Sequence, residues 1–183
     1  MAITGASGVR YGKKLLEVLS EKEQTSVELI VSDAGRELLE TELEASYSEI
    51  SEMANEVYGP SELDSPPSSG SSKYDGMAIV PCSMSSLSKI ATGISDNLIT
   101  RAAAVFLKEE RKLVLTPRET PLSTTWLKNM YEISDEGASM IPAMPAFYHN
   151  PSNIEDIVDF VVGKILDSFE IEHSLFERWE EKR

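Results

Sequence analysis

Four short polar stretches carry the residue types that bind anions and move protons. Gly5-Ala6-Ser7-Gly8 follows the apolar start Met1–Thr4 and precedes a helical pattern at Val9, Tyr11, Leu15, Leu16 and Leu19. Glycine lets the backbone close on a ligand, and a helix start offers unpaired N–H groups to an anion. The stretch reads equally as an ordinary strand-to-helix turn, since it lacks the full spacing of a dinucleotide fingerprint and the lysine of a P-loop. Pro81-Cys82-Ser83-Met84-Ser85-Ser86 opens a second helix. One serine suffices to cap it, which leaves hydroxyls over for a phosphate or a polar ring edge. Arg118 follows Pro117, with Glu119 beside it. A guanidinium fork suits phosphate oxygens, and Glu119 either manages protons or simply pairs with Arg118. Pro145-Ala146-Phe147-Tyr148-His149 is an aromatic loop. It is suited to covering a flat ligand or to an oligomer contact, and His149 reads as structural.

These stretches need a frame, and the apolar pattern supplies one. Short β-branched or apolar runs at Val27–Val31, Met77–Val80 and Leu113–Leu115 read as buried strands, with a weaker one at Ala138–Ile141. Helical spacing follows each: through Leu38 and Leu39, through Leu87 and Ile90, and, after a break at Gly93, through Leu98 to Phe106. Further helices are expected over Trp126, Leu127 and Met130 and over Ile154 to Leu166, with a short one near 172–180 carrying Leu175, Phe176 and Trp179. Strands alternating with helices imply right-handed βαβ units and a mostly parallel sheet, an α/β architecture. Ligands in such sheets bind beyond the carboxyl ends of the strands. The Gly5–Gly8, Ser32, Pro81–Ser86 and Thr116–Pro121 loops all fall there.

Composition narrows the function. The chain has 183 residues, enough for one domain with a real core, and is read as a single domain over 1–183. Its 31 acidic residues against 17 basic ones give a net charge of −14, which argues against nucleic acid. Residues 37–72 hold nine of the acids and no lysine or arginine, and Ser61–Ser72 adds six serines, Pro66, Pro67 and Gly70. The segment near 44–72 is therefore expected as a mobile surface stretch. Arg101, Lys108, Arg111, Lys112 and Arg118 concentrate the positive charge, and Arg111 and Lys112 read as a solvated face balanced by Glu109 and Glu110. One cysteine, Cys82, and two histidines exclude a disulfide framework and make a metal site implausible. No apolar run approaches the ~20 residues that span a bilayer, and no secretory signal opens the chain. A cytoplasmic protein is expected.

The loops taken together closely resemble the flavin prenyltransferase family (UbiX/Pad type). The matching segments are TGASGVRYG at Thr4–Gly12, IVSDA at Ile30–Ala34, PPSSGSS at Pro66–Ser72 and IVPCSMSSLSKIATGISDNLITRAA at Ile79–Ala103. LKEERKLVLTPRETPLS at Leu107–Ser123, PAMPAFYHNP at Pro142–Pro151 and DIVDFVVGKILD at Asp156–Asp167 complete the set. Each motif is moderate alone, but the ordered set covers nearly the whole chain.

The resemblance implies a three-layer flavodoxin-like or Rossmann-like sandwich. It implies a metal-independent transfer of a dimethylallyl group, usually from dimethylallyl phosphate, to N5 and C6 of reduced FMN. The prenylated FMN would serve a UbiD-type decarboxylase. It further implies a homo-oligomer, often a dodecamer, with active sites at subunit interfaces. By motif, Ala6, Ser7 and Gly8 line the FMN site, with Ser7 near N5. Ser32 and the turn Ser83, Met84, Ser85 and Ser86 hold the rest of the FMN. Arg118 meets both FMN and the donor phosphate, and Glu119 assists the protons of ring closure. Arg101, Lys108, Tyr148 and Lys164 surround that phosphate. Ser7, Glu119, Arg101 and Lys108 are thus the expected catalytic set.

Three departures stand out. Ala104 replaces an Asp common in the family, and Lys164 stands where many members carry Arg. The first strand is short, which is expected to weaken a sheet edge. Two alternatives are weighed against the transferase. One is an FMN-binding carrier without chemistry. The other is a flavin-dependent cysteine decarboxylase, whose histidine and asparagine signature is replaced here by PRETPLS.

Overall fold

A computed structural model describes residues 1–43 and 45–179. Among these residues six strands form one sheet in which every pairing is parallel. In chain order they are β1 (Ala2–Ile3), β2 (Glu28–Val31), β3 (Glu56–Tyr58), β4 (Gly76–Cys82), β5 (Lys112–Pro117) and β6 (Ser139–Met140). The helices are α1 (Val9–Ser20), α2 (Asp33–Leu43), α3 (Tyr47–Ser51), α4 (Met84–Ala91), α5 (Leu98–Lys108), α6 (Thr124–Asp135) and α7 (Ile154–Ser168).

Alternation along the strands sorts the core into two faces. Met77 and Ile79 of β4, with Leu113 and Leu115 of β5, face α4, α5 and α6. Ala78, Val80 and Val114, one residue out of phase, face α1 and α7. Ile3, Leu29 and Val31 continue that second face under α1, α2 and α3. Helices on both sides of a parallel sheet make a three-layer α/β sandwich, as the βαβ pattern required.

The strand order is β3-β2-β1-β4-β5-β6. The chain builds outward from β1 in one direction, then returns to start again at β4. The direction of winding thus reverses between β1 and β4, and this is where open sheets of this kind bind ligands. The short first strand therefore lies at the centre of the sheet, not at an edge as the sequence suggested. Neighbours on both sides hold it: Ala2 is opposite Ile30 and Ile79.

Other elements also differ from the sequence reading. The acidic stretch read as irregular contains α3, closed by a Ser46–Glu49 capping box, and the edge strand β3. β4 continues through Pro81 to Cys82 instead of ending before the proline. No α-helix forms over residues 171–179, and residue 180 lies outside the described residues. α7 ends instead at a turn in which Glu170 adopts a left-handed φ of 58°. The chain beyond it doubles back along α7, held by side-chain contacts that override the helical spacing.

Candidate functional site

The loops at the carboxyl ends of β1 and β4 are joined by hydrogen bonds at the switch point. Thr4, fully buried, donates its Oγ1 hydroxyl to the Pro81 carbonyl at 2.8 Å. The same Oγ1 accepts the Ser83 N–H at 2.7 Å. The Thr4 N–H also donates to the Pro81 carbonyl, at 3.2 Å. One threonine therefore sets the spacing of the Gly5–Gly8 and Ser83–Ser86 loops.

The third loop joins from β5, on the far side of β4. Arg118 Nε donates to the Ser7 carbonyl at 2.9 Å. The guanidinium lies only partly exposed over the Gly5–Gly8 loop, and Ser7 itself is exposed. Glu119 turns its Oε1 onto the Thr120 N–H at 3.0 Å instead of pairing with Arg118. Behind these two residues lies a cavity of about 60 Å³, bordered by Thr120, Leu122, Met130 and Met144. Arg118 and Glu119 thus line a small space to which Leu122, Met130 and Met144 contribute apolar side chains.

The start of α1 is built differently from the other long helices at this end. Gly8 is its N-cap, with φ 102°, a left-handed value that a side chain would strain, and no side chain caps the helix. The Gly8 N–H instead donates to Glu42 Oε2 at 2.8 Å, across from α2. Glu42 is the residue that the sequence reading missed. Nothing in its own surroundings marks it, because it is one acid among nine in an acidic run. At α4, Ser83 is the cap: its Oγ accepts the Ser86 N–H at 3.2 Å and donates to the Ser86 hydroxyl at 3.0 Å. That leaves Ser85 as the exposed hydroxyl of the turn, while Met84 is buried in the core and offers the site only its backbone. Ser32 likewise accepts the Gly35 N–H at 3.0 Å, a turn that starts α2. Ala6 is 6% exposed and forms the floor of the first loop.

Cys82 sits beneath this rim with no exposed surface. Burial pushes its thiol up to about 12, so it is a core side chain and not a thiolate nucleophile.

The remaining cations lie elsewhere in the subunit. α5 starts beside Pro60, whose carbonyl accepts the Leu98 N–H, and runs back to the start of β5. Arg101, in its first turn, donates from Nε to the Ser68 carbonyl at 3.1 Å. Lys108 ends the helix, at the opposite end of the sheet from the rim, paired with Glu109 and packed against Gly70. Arg111 donates to the carbonyls of Ser72 and Gly70, both at 2.7 Å. The serine-rich loop at Pro66–Ser72 is thus pinned to α5 by its cations. On the other face of the sheet, Lys164 of α7 pairs with Asp167 at 3.2 Å. Tyr148 packs edge-on against Phe160 and Trp179, at ring separations of 5.8 and 5.3 Å. His149 stacks on Phe160 at 5.2 Å. The structure therefore brings Ala6, Ser7, Gly8, Ser83, Ser85, Arg118 and Glu119 to one rim. Arg101 and Lys108 form a second group with the serine loop, and Tyr148 and Lys164 a third along α7.

A larger cavity, about 390 Å³, lies away from this rim. It opens at the amino ends of the strands, bordered by Met1, Glu28, Gly76, Phe106 and Phe169. The Gly5–Gly8, Ser83–Ser86 and Thr116–Pro121 loops do not line it.

Similarity to known proteins agrees with the rim. The Flavoprotein family model matches residues 1–166. Flavin prenyltransferase UbiX of Methanocaldococcus jannaschii is 47% identical over 179 residues, covering 98% of this chain and 96% of the relative. Among solved structures, a dodecameric FMN-dependent UbiX-like decarboxylase from Escherichia coli O157:H7 superposes with a TM-score of 0.94 at 42% identity, covering 98% of this chain and 99% of that one. AnUbiX (PadA1), solved with FMN and dimethylallyl pyrophosphate, superposes with a TM-score of 0.94 at 41% identity, covering 97% and 94% of the two chains. The peptidyl-cysteine decarboxylase EpiD, at 16% identity and a TM-score of 0.64, shares the fold alone. With a rim organised around a stapled switch point and end-to-end identity near one half, the chain belongs to the flavin prenyltransferase family of the UbiX type.

Proposed function

We propose that this protein joins a dimethylallyl group from dimethylallyl phosphate to N5 and C6 of reduced FMN, without a metal, and that prenylated FMN is its product. The observation that carries this reading is the Arg118–Ser7 bond, which holds an anion-binding guanidinium over the loop at the switch point. Relatives with this architecture bear the prenyltransferase name, and one was solved with FMN and a dimethylallyl donor.

The residues fit FMN by chemistry. α1 starts at Gly8, whose N–H is held by Glu42 but which supplies no side-chain cap, Ser7 and Ser85 present exposed hydroxyls, and Ala6 gives a floor without bulk. In the reaction the C–O bond of the donor would break and phosphate leave with the electron pair, while the allylic carbon would bond to N5 in place of the proton that N5 gives up. Closing the ring adds a proton to the prenyl double bond and removes one from C6. Arg118 stabilises the departing phosphate. Glu119, on the same rim, holds and returns the proton. Apolar walls keep water from the allylic cation.

Arg101, Lys108, Tyr148 and Lys164 complete the phosphate site from other subunits. Support for this comes from their separation from Arg118 and Glu119 within one chain, and from the dodecamer formed by a close relative. The exposed Leu127, Tyr131, Met144, Phe147 and Ile154 supply apolar surface for such contacts. We read 1–183 as one flavoprotein domain acting in the cytoplasm, where Cys82 stays reduced, and passing its product to a UbiD-type decarboxylase. No described helix is long and apolar enough to cross a membrane.

The test is mass spectrometry of the flavin after anaerobic incubation with reduced FMN and dimethylallyl phosphate. A flavin heavier by one prenyl unit is expected. Bound but unmodified FMN, with both the monophosphate and the diphosphate, would leave the carrier reading in its place.

A further inference from the structure

The segment after α7 is attached to that helix at three points. At the first, the rings of His173 and Phe176 fill the space beside Gly163, where a Cβ would come within 2.7 Å of the one and 2.4 Å of the other. Only glycine leaves that notch open. At the second, Asp167 receives the Arg178 fork, with Nη2 on Oδ1 at 2.7 Å and Nη1 on Oδ2 at 3.3 Å. His173 Nε2 meets the same Oδ1 at 3.1 Å, and Lys164 Nζ meets Oδ2 at 3.2 Å. The His173 side chain is 2% exposed, and its Nδ1 accepts the Leu175 N–H at 3.2 Å, so Nε2 carries the hydrogen given to Asp167. At the third, Phe176 packs on Phe160 at 4.9 Å, and Trp179 lies against Tyr148. Arg178 above all, then Lys164 and His173, hold the Asp167 carboxyl down at about 2.

We propose that Asp167 is a positioning residue for the donor phosphate: it seats the C-terminal segment in the Gly163 notch, and the seated segment fixes Tyr148 while Asp167 itself fixes Lys164. The inference rests on the reading that Tyr148 and Lys164 meet that phosphate. The bidentate fork to Arg178 gives Asp167 its main charge partner. Lys164 is therefore oriented by the carboxylate without being its only counter-ion, and its side chain remains 48% exposed.

The test uses full-length protein carrying Trp126→Phe, so that Trp179 is the only tryptophan. Two further variants act on the same anchor by different means. Asp167→Asn removes the charge, and Gly163→Ala fills the notch without touching any charge. In both, Trp179 emission is expected to shift to the red as the segment leaves Tyr148. The KM for dimethylallyl phosphate should rise about tenfold, with kcat and FMN affinity within about twofold of the parent. Asp167→Glu should recover part of the KM.

An unshifted emission in both variants would overturn the anchoring. A shifted emission with an unchanged KM would make the segment merely structural and overturn the positioning role. A lower KM in Asp167→Asn would show the carboxylate competing with phosphate for Lys164, which also overturns it. If the parent itself prenylates no flavin, the functional reading fails separately. Titration of Trp179 emission with dimethylallyl phosphate then decides alone. A saturable change weakened about tenfold by Asp167→Asn supports the proposal, and its absence ends it.

Discussion

The rim and the α5 cluster both gather charge and hydroxyls around a backbone loop, yet they are organised in opposite ways. At the rim, one threonine and one arginine tie together loops from three strands, and the side chains left over are Ser7, Ser85 and Glu119. At α5, Arg101 and Arg111 spend donors on carbonyls of the serine loop, and Lys108 is paired with Glu109. The rim loops all come from one subunit and form the surface proposed to hold the flavin. The α5 cluster shapes the serine loop. Fold position thus separates the loops that meet within one subunit from the cations that do not join them there. Strand ends converge by topology, whereas under the proposed function a cation on a crossover helix meets the phosphate site through assembly.

The sharpest way to break this comparison is at the rim itself. Glu119→Gln keeps the shape and the Arg118–Ser7 bond but removes the proton carrier. Prenylation is expected to fall about 10²–10⁴-fold with FMN binding retained. Anaerobic single-turnover assays with bound FMN read both quantities, and unchanged turnover would remove Glu119 from the mechanism.

A second test asks whether the two regions belong to one site. Lys108→Ala and Arg118→Ala are each expected to be inactive alone. If a site takes its rim from one subunit and its α5 cluster from another, co-assembled variants should recover activity, because some sites then receive both intact halves. Random assembly in equal parts gives about a quarter of the parent rate. No recovery on mixing refolded or co-expressed variants would confine the site to one chain.

A smaller effect separates the two roles within the serine turn. Ser83 caps α4, so Ser83→Ala should cost about 1 kcal/mol in urea unfolding. Ser85 is exposed and caps nothing, so Ser85→Ala should leave stability unchanged and weaken FMN several-fold by titration. Equal effects of the two variants would erase the distinction between cap and ligand.

How much of this was legible beforehand follows from the same physics. The four loops could be named because apolar runs mark the strands, and the ends of parallel strands face one way. β1 could not be placed at the centre, because strand order is a long-range property that two residues do not encode. β3 was hidden because an edge strand with exposed Glu56 lacks the apolar run of a buried one. Glu42 was hidden for a different reason: its role comes from a neighbour 34 residues away, the Gly8 N–H. The C-terminal segment carries helical spacing at Leu175, Phe176 and Trp179, but the Gly163 notch on α7 decides its path.

That segment provides the smallest and most specific effect, a pH dependence of stability. The Asp167 carboxyl lies at about 2 in the folded protein, against an ordinary 3.8. A carboxylate depressed in this way adds stability above its unfolded value and loses it as the pH falls through the folded one. The contribution of Asp167 is therefore complete at pH 5 and above and disappears between about pH 4 and pH 2. Asp167→Asn lacks it at every pH. The difference in urea midpoint between parent and variant should accordingly be largest near neutrality and close as the pH approaches 2. The rim offers a control, since Ser85→Ala removes no charge and should run parallel to the parent across the same range. A parallel course for Asp167→Asn instead would mean that Phe176 and His173 in the Gly163 notch, and not the ion cluster, hold the segment down.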